Sequence, residues 1–142
     1  FLYYKGGSLG TSLGLAKDIM VTGKKMPVID YKKSFVQALK VMNQKKLGIV
    51  VVTKKKFIKG LITDGDVRRV LNNPNREKNL NQVIRNFPLV INENMPASKA
   101  LNFMSEKKIT SLLVVSDKDK GKKTKILKGI IHIHFLLKDK IR

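Results

Sequence analysis

Four places in the sequence bring together residues able to do chemistry. Thr63 and Asp66 stand three apart, directly after the apolar run Gly60-Leu61-Ile62. At that spacing the threonine can cap a following helix while the acid reaches back to the threonine N–H, which is a capping box. The same corner offers a phosphate the free N–H groups and partial positive charge of a helix N-terminus. A carboxylate placed there can also accept hydrogen bonds from both hydroxyls of a ribose. The residues are compatible with both readings at once. Arg68 and Arg69 follow one turn later and either reach an anion or line a solvated helix face. His132 and His134 form a His-x-His pair, and strand alternation would put both rings on one face. Two nitrogens with no cysteine or acid nearby make a poor metal site, so the pair is read as donors to phosphate or carboxylate. Gly6-Gly7-Ser8-Leu9-Gly10 is glycine-rich, yet no strand pattern precedes it and no Gly-Lys-Ser/Thr follows. It is neither a P-loop nor a dinucleotide fingerprint and reads as a tether. No catalytic site is expected: the chain offers no Ser-His-Asp set in plausible order, no acid pair in an apolar pocket and no metal cluster.

The composition narrows what such corners serve. The chain has 142 residues, of which 42% are hydrophobic, enough for a packed core. No run is long and apolar enough for a membrane helix. Cysteine is absent, which removes disulfides, thiolate metal sites and cysteine nucleophiles. The chain opens with Phe1 rather than Met and is expected to be a piece of a longer protein. Thirty Lys+Arg against ten Asp+Glu give a formal charge of +20, which invites a nucleic-acid reading. Only five of the basic residues are arginine, however, and base readout and phosphate clamping favour arginine's planar fork. The lysines are spread through every segment, with short runs at Lys54-Lys55-Lys56 and Lys122-Lys123, and no aromatic is interleaved with these runs to stack on bases. Compositional drift toward lysine and asparagine is therefore the first reading of the charge, an anionic small ligand or partner the second, and nucleic acid the least favoured.

The elements that must position these residues occur twice. Ala38-Leu39-Lys40-Val41-Met42 and Lys45-Lys46 match Ala100-Leu101-Asn102-Phe103-Met104 and Lys107-Lys108 at a constant offset of 62, which Val28-Ile29 and Val90-Ile91 share. Lys59-Gly60-Leu61-Ile62 matches Lys128-Gly129-Ile130-Ile131 at an offset of 69, and the polar stretch from Asp117 to Lys125 absorbs the difference as a lengthened hairpin loop. In each copy a short apolar run (Pro27 to Ile29, Pro88 to Ile91) precedes one helix face. Those faces are Phe35, Ala38, Leu39, Met42 and Ala97, Ala100, Leu101, Met104, with Pro96 suited to the first helical position. Two strands follow, Ile49 to Val52 with Phe57 to Ile62, and Leu112 to Val115 with Ile126 to Ile131. A short helix closes each copy, carrying Val67, Val70 and Leu71 in one and Ile133, Leu136, Leu137 and Ile141 in the other. The order is β-α-β-β-α twice. A unit of about 60 residues is marginal alone, so two related units are expected to share a core about a pseudo-two-fold axis, with a cleft offering two related sites.

This layout, with Gly60 to Asp66 (GLITDGD) at the last strand of the first copy, resembles the CBS (cystathionine-β-synthase-type) domain pair over about residues 18–141. Gly60 to Arg69 (GLITDGDVRR) and Gly129 to Leu137 (GIIHIHFLL) resemble the CBS halves of KpsF/GutQ-type D-arabinose-5-phosphate isomerases, in which a sugar isomerase (SIS) domain precedes the pair. Gly6 to Gly10 stands where the SIS domain of that family ends, just before Asp18-Ile19-Met20. Tyr4 and Lys5 occupy the places of the family's His and Pro, and that histidine is thought to be catalytic in the family. The resemblance implies an α+β fold of two β-α-β-β-α repeats. Residues 1–17 would be a SIS tail and linker, 18–75 the first CBS domain and 76–142 the second. It implies a ligand-binding set of Val28, Leu47, Gly48, Ile49, Thr63, Asp64, Asp66, Thr110, Ser111, His132 and His134. The second corner departs from the first, with His132 in place of Thr63 and Phe135 in place of Asp66. Phe135 cannot accept a ribose hydroxyl, so that half-site should be weaker or recognise something else.

By resemblance no cofactor is required, and the ligand is AMP or ATP, or a CMP-Kdo-like sugar nucleotide. The parent would interconvert ribulose 5-phosphate and arabinose 5-phosphate in the cytoplasm, for Kdo and lipopolysaccharide synthesis. It would dimerise through its CBS pairs and be a tetramer as a whole. The alternatives are a sugar nucleotidyltransferase parent, some of which carry a similar run, and a purely structural dimerisation module.

Overall fold

A computed structural model of the chain describes residues 13–73, 79–84 and 88–136. The earliest glycine-rich tether, Tyr4 and Lys5 before it, and Leu137 and Ile141 at the far end lie outside the described residues. The elements follow the repeat. Strand β1 (Val28–Asp30) leads to helix α2 (Phe35–Lys45), then β2 (Ile49–Lys54), β3 (Phe57–Thr63) and α3 (Asp64–Leu71). Strand β4 (Val90–Asn92) leads in the same way to α5 (Ala97–Lys107), β5 (Ser111–Val115) and β6 (Leu127–His132), and residues 133–136 turn into helix. Two short helices, α1 (Ala16–Ile19) and α4 (Leu80–Val83), stand before the two copies.

The described chain falls into two compact bodies. One is residues 24–88; the other combines the segment up to Gly23 with residues 89–136. Each holds a three-stranded sheet, in which β1 runs parallel to β2 and β2 antiparallel to β3, and likewise β4, β5 and β6. The β-branched and leucine runs lie where both faces of the sheet are covered: Val50, Val51, Val52 and Val114 are fully buried, as are Ile62 and Ile131 on the neighbouring strands.

Helix α2 begins with a capping box. Ser34 Oγ accepts from the Gln37 N–H at 3.1 Å, and Gln37 Oε1 accepts from the Ser34 N–H at 2.9 Å. Its buried face is Phe35, Ala38 and Met42, and that of α5 is Ala97, Ala100, Leu101 and Met104. Both helices end on a lysine in the left-handed region, Lys46 and Lys108, each at φ 56°. Pro96 is the residue before the first turn of α5, one place earlier than its spacing predicts. Leu71, expected on the buried face of α3, is instead exposed, while Val70 is buried.

The body containing β4–β6 is completed by a segment from far upstream. The Ala16 N–H donates to the Met95 carbonyl (2.7 Å), the Lys17 N–H to the Glu93 carbonyl (3.0 Å) and the Ala97 N–H to the Gly14 carbonyl (2.8 Å). Val21 and Ile130 exchange a pair of backbone hydrogen bonds. Gly129 permits this approach: a Cβ there would stand 2.9 Å from the Val21 carbonyl oxygen and overlap Met20. In the other body Gly60 gives the same room to Ile84, which follows α4.

Candidate functional site

In the body of residues 24–88, the start of β2 and the end of β3 meet at one end of the sheet, because Ile49 pairs with Thr63. Strand β1 is parallel to β2, so Val28 begins its strand at that same end. Helix α3 starts directly from β3. Thr63 Oγ1 accepts from the Asp66 N–H at 3.3 Å, and Asp66 Oδ2 accepts from the Thr63 N–H at 2.9 Å and its hydroxyl at 3.1 Å. The capping box is therefore formed. Asp66 Oδ1 accepts from Arg69 Nη2 at 3.2 Å, and the same nitrogen donates to the Val83 carbonyl at 2.8 Å. Arg69 thus fixes the outer carboxylate oxygen and ties α3 to the last turn of α4.

The carboxylate keeps one wet side, since the Asp66 side chain is 18% exposed. Asp64 is exposed beside it, and its N–H donates to the Gly48 carbonyl at 3.2 Å. Gly48 sits at φ +73°, and a Cβ there would come within 2.9 Å of Asp64 Oδ2. Glycine is what both the turn and the close acid require. Leu47 and Ile49 are buried, whereas Val28, Gly48 and Thr63 are half-buried. The corner can hold an anion against the first turn of α3 and meet a hydroxyl at Asp66.

The second body repeats the geometry with other atoms. Ser111 pairs with His132, and the Ile133 N–H donates to the Thr110 carbonyl at 2.9 Å, as Asp64 does to Gly48. His132 Nδ1 accepts from the His134 N–H at 3.0 Å. The histidine has taken over threonine's capping task, and accepting at Nδ1 places the neutral ring's proton on Nε2. His132 is buried at 7% exposure, His134 is exposed, and Thr110 is exposed. The two histidines do not share a strand face, because the strand ends at His132 and His134 lies in the helix. Their rings and that of Phe135 form an edge-to-face cluster with centroids 5.9 to 6.4 Å apart. Among the described residues no group of three or more histidines, cysteines or acids could hold a metal ion, and no helix is long and apolar enough to cross a membrane.

Sequence reasoning left Arg68 and Arg69 together as an anion-reaching pair or a solvated face. The fold separates them: Arg69 is committed to Asp66 and Val83, whereas Arg68 is exposed, with Nη2 3.9 Å from where a Cβ on Gly65 would lie. Nothing in the spacing signals the Arg69–Val83 link, which depends on the return of α4.

A cap at a strand end, built once in each of two matching halves, defines a tandem module. The chain belongs to the CBS domain family, whose model matches residues 16–73 and 80–134. It is 36% identical over 137 residues to an uncharacterized protein, RP505, of Rickettsia prowazekii, covering 96% of this chain and 41% of that one. It is 39% identical over 122 residues to a probable arabinose 5-phosphate isomerase of Haemophilus influenzae, covering 82% of this chain and 35% of that one. The chain thus spans well under half the length of these relatives. Among solved structures it is similar to CBSX2 in complex with AMP, with TM-score 0.74 and 19% identity over 90% of this chain and 96% of that one. The CBS domain pair of protein MJ0100, in complex with 5′-methylthioadenosine and S-adenosyl-L-methionine, gives TM-score 0.69 and 18% identity over the same shares. At that identity these likenesses establish the fold.

Proposed function

We propose that this chain is the regulatory, nucleotide-sensing CBS pair of a D-arabinose-5-phosphate isomerase. The observation that carries the reading is the corner at Thr63–Asp66, a helix N-terminus with an adjoining, partly wet carboxylate. The names of the isomerase relatives and the adenosine-containing ligands of two structural neighbours support it. The ligand is an adenine nucleotide or a cytidine sugar nucleotide. Its phosphate lies against the first turn of α3 near Arg68, its ribose reaches Asp66, and Val28, Leu47, Gly48, Ile49 and Asp64 frame it. The corner at Thr110, Ser111, His132 and His134 is the weaker half-site, because the aromatic cluster around Phe135 replaces the acid. That cluster also favours a second reading, in which the residue 89–136 body serves only assembly into a homodimer.

The parent's activity, interconversion of ribulose 5-phosphate and arabinose 5-phosphate in the cytoplasm, belongs to the same proposal. A ligand here regulates that activity only by binding two states of the whole protein unequally. A thermal-shift series with AMP, ATP, CMP and CMP-Kdo tests the reading, since a ligand at 100 times its Kd adds about 2.7 kcal/mol. Asp66→Ala should weaken the responding ligand by about 10- to 100-fold, measured by calorimetric titration on the folded variant. Unchanged affinity would leave the carboxylate as a cap alone.

A further inference from the structure

The opposite end of the first sheet carries a different surface. Strands β1 and β2 finish there and β3 begins there, so that Asp30 pairs with Thr53 and Lys54 with Phe57. Tyr31 follows directly on β1, its N–H donating to the Thr53 carbonyl at 2.8 Å. Lys54 Nζ lies 5.3 Å from the centre of the Tyr31 ring and Lys32 Nζ 5.9 Å from it. Lys54 and Phe57 are cross-strand partners and share a face of the sheet. Tyr31 is half-buried and Phe57 is 36% exposed.

Around this row stand Lys33, Lys55 and Lys56, all exposed. The one carboxylate on the neighbouring strand end, Asp30, has an oxygen engaged with the Lys32 N–H at 3.0 Å. The sequence hid the arrangement: Tyr31 stands far from the Lys54-Lys55-Lys56 run, and only the parallel register of β1 and β2 brings its ring to Lys54. The sequence interleaves no aromatic with the basic runs; the fold brings Tyr31 beside one of them.

We propose that this sheet end binds single-stranded nucleic acid without sequence preference, bases stacking on Tyr31 and Phe57 while phosphates meet Lys32, Lys33, Lys54, Lys55 and Lys56. A half-buried tyrosine ring and a partly exposed phenylalanine ring, set among five ammonium groups, match the recurring unit of such a strand, a flat base beside a negative phosphate. An acidic peptide or an anionic lipid surface uses the charge but has no need of two rings flanking a lysine. The absence of arginine from the patch fits indifference to base identity, because lysine acts as a point charge. The ledge is at the far end of the sheet from Thr63 and Asp66, so it stands or falls independently of the nucleotide corner.

Fluorescence anisotropy on the full chain tests this, with labelled oligothymidylate and oligouridylate of about 15 nucleotides as probes. The salt slope of log K should be about −3.5 for five lysines at a single strand, and Lys54→Gln/Lys55→Gln/Lys56→Gln should bring it about 2 nearer zero and weaken binding at least about tenfold. Tyr31→Leu should weaken binding about fivefold or more, and Phe57→Leu, at an exposed position, supplies the same readout should Tyr31→Leu fail to fold. A distant control, Lys120→Gln/Lys123→Gln/Lys128→Gln, should stay within about twofold. The proposal is overturned if neither oligonucleotide binds at low salt, or if the distant control loses as much as the ledge variant. It is overturned equally if both aromatic variants bind like the parent chain, or if heparin or anionic vesicles compete as well as the oligonucleotides do. A preference for the deoxy or ribo probe would distinguish DNA from RNA within the proposal.

Discussion

His132 stands 69 positions after Thr63 and holds the same kind of hydrogen bond through a ring nitrogen. The substitution keeps the helix start satisfied while changing what the corner presents: a buried ring and its aromatic neighbours where the first copy has a hydroxyl and a carboxylate. If capping is the main task of Nδ1, His132→Asn, which keeps an acceptor near that position, should be more stable than His132→Ala by about 1 kcal/mol. Urea unfolding of the two variants measures the difference, and equal stabilities would assign the histidine to packing alone. The first corner was legible as a motif because Thr63, Asp66 and the helix are neighbours in sequence. Arg69's grip on the Val83 carbonyl was not legible, because it joins helices whose approach only the folded body fixes.

Among elements, the eleven-residue helices α2 and α5 announce themselves, since three turns of apolar residues at i, i+3, i+4 and i+7 leave little ambiguity. The four-residue helices α1 and α4 are too short to show a period, and their starts use unlike residues, Leu15 and Asn79. The inserted loop after β5 reads from sequence only as polar excess. In the structure it is tied together: buried Asp119 accepts from the Ile126 N–H at 2.8 Å, and Lys125 Nζ donates to the Asp119 and Lys122 carbonyls. The matching hairpin of the first sheet is the reverse case. Lys55 and Lys56 occupy its two-residue turn at φ 51° and 73°, where Asn-Gly is the favoured pair. Lys55→Asn/Lys56→Gly should therefore stabilise the chain by about 1 kcal/mol, raising Tm by a few degrees in a calorimetric scan. No rise would show that the turn is unstrained. The same two substitutions remove two cations from the lysine ledge, so greater stability should come with weaker oligonucleotide binding.

On the scale of the whole chain, the repeat was readable because matched residues keep constant offsets, but its packing was not. Helix α1 precedes the first copy and packs with the second, while α4 precedes the second and packs with the first. Removing the residues before Lys24 should therefore damage residues 89–136 more than residues 24–73. It deletes the five backbone hydrogen bonds from residues 14–21 to Glu93, Met95, Ala97 and Ile130, together with Leu13, Ile19 and Met20 from the apolar cluster, a loss of at least about 4 kcal/mol. Hydrogen exchange read by mass spectrometry should show this asymmetry, and an equal loss of protection in both bodies would contradict it. The same threading has a consequence for biosynthesis. The central body is contiguous, so all its contacts can form once residue 88 has left the ribosome, whereas the segment before it meets its partners in stages, Glu93 to Ala97 first and Ile130 only when β6 has been translated.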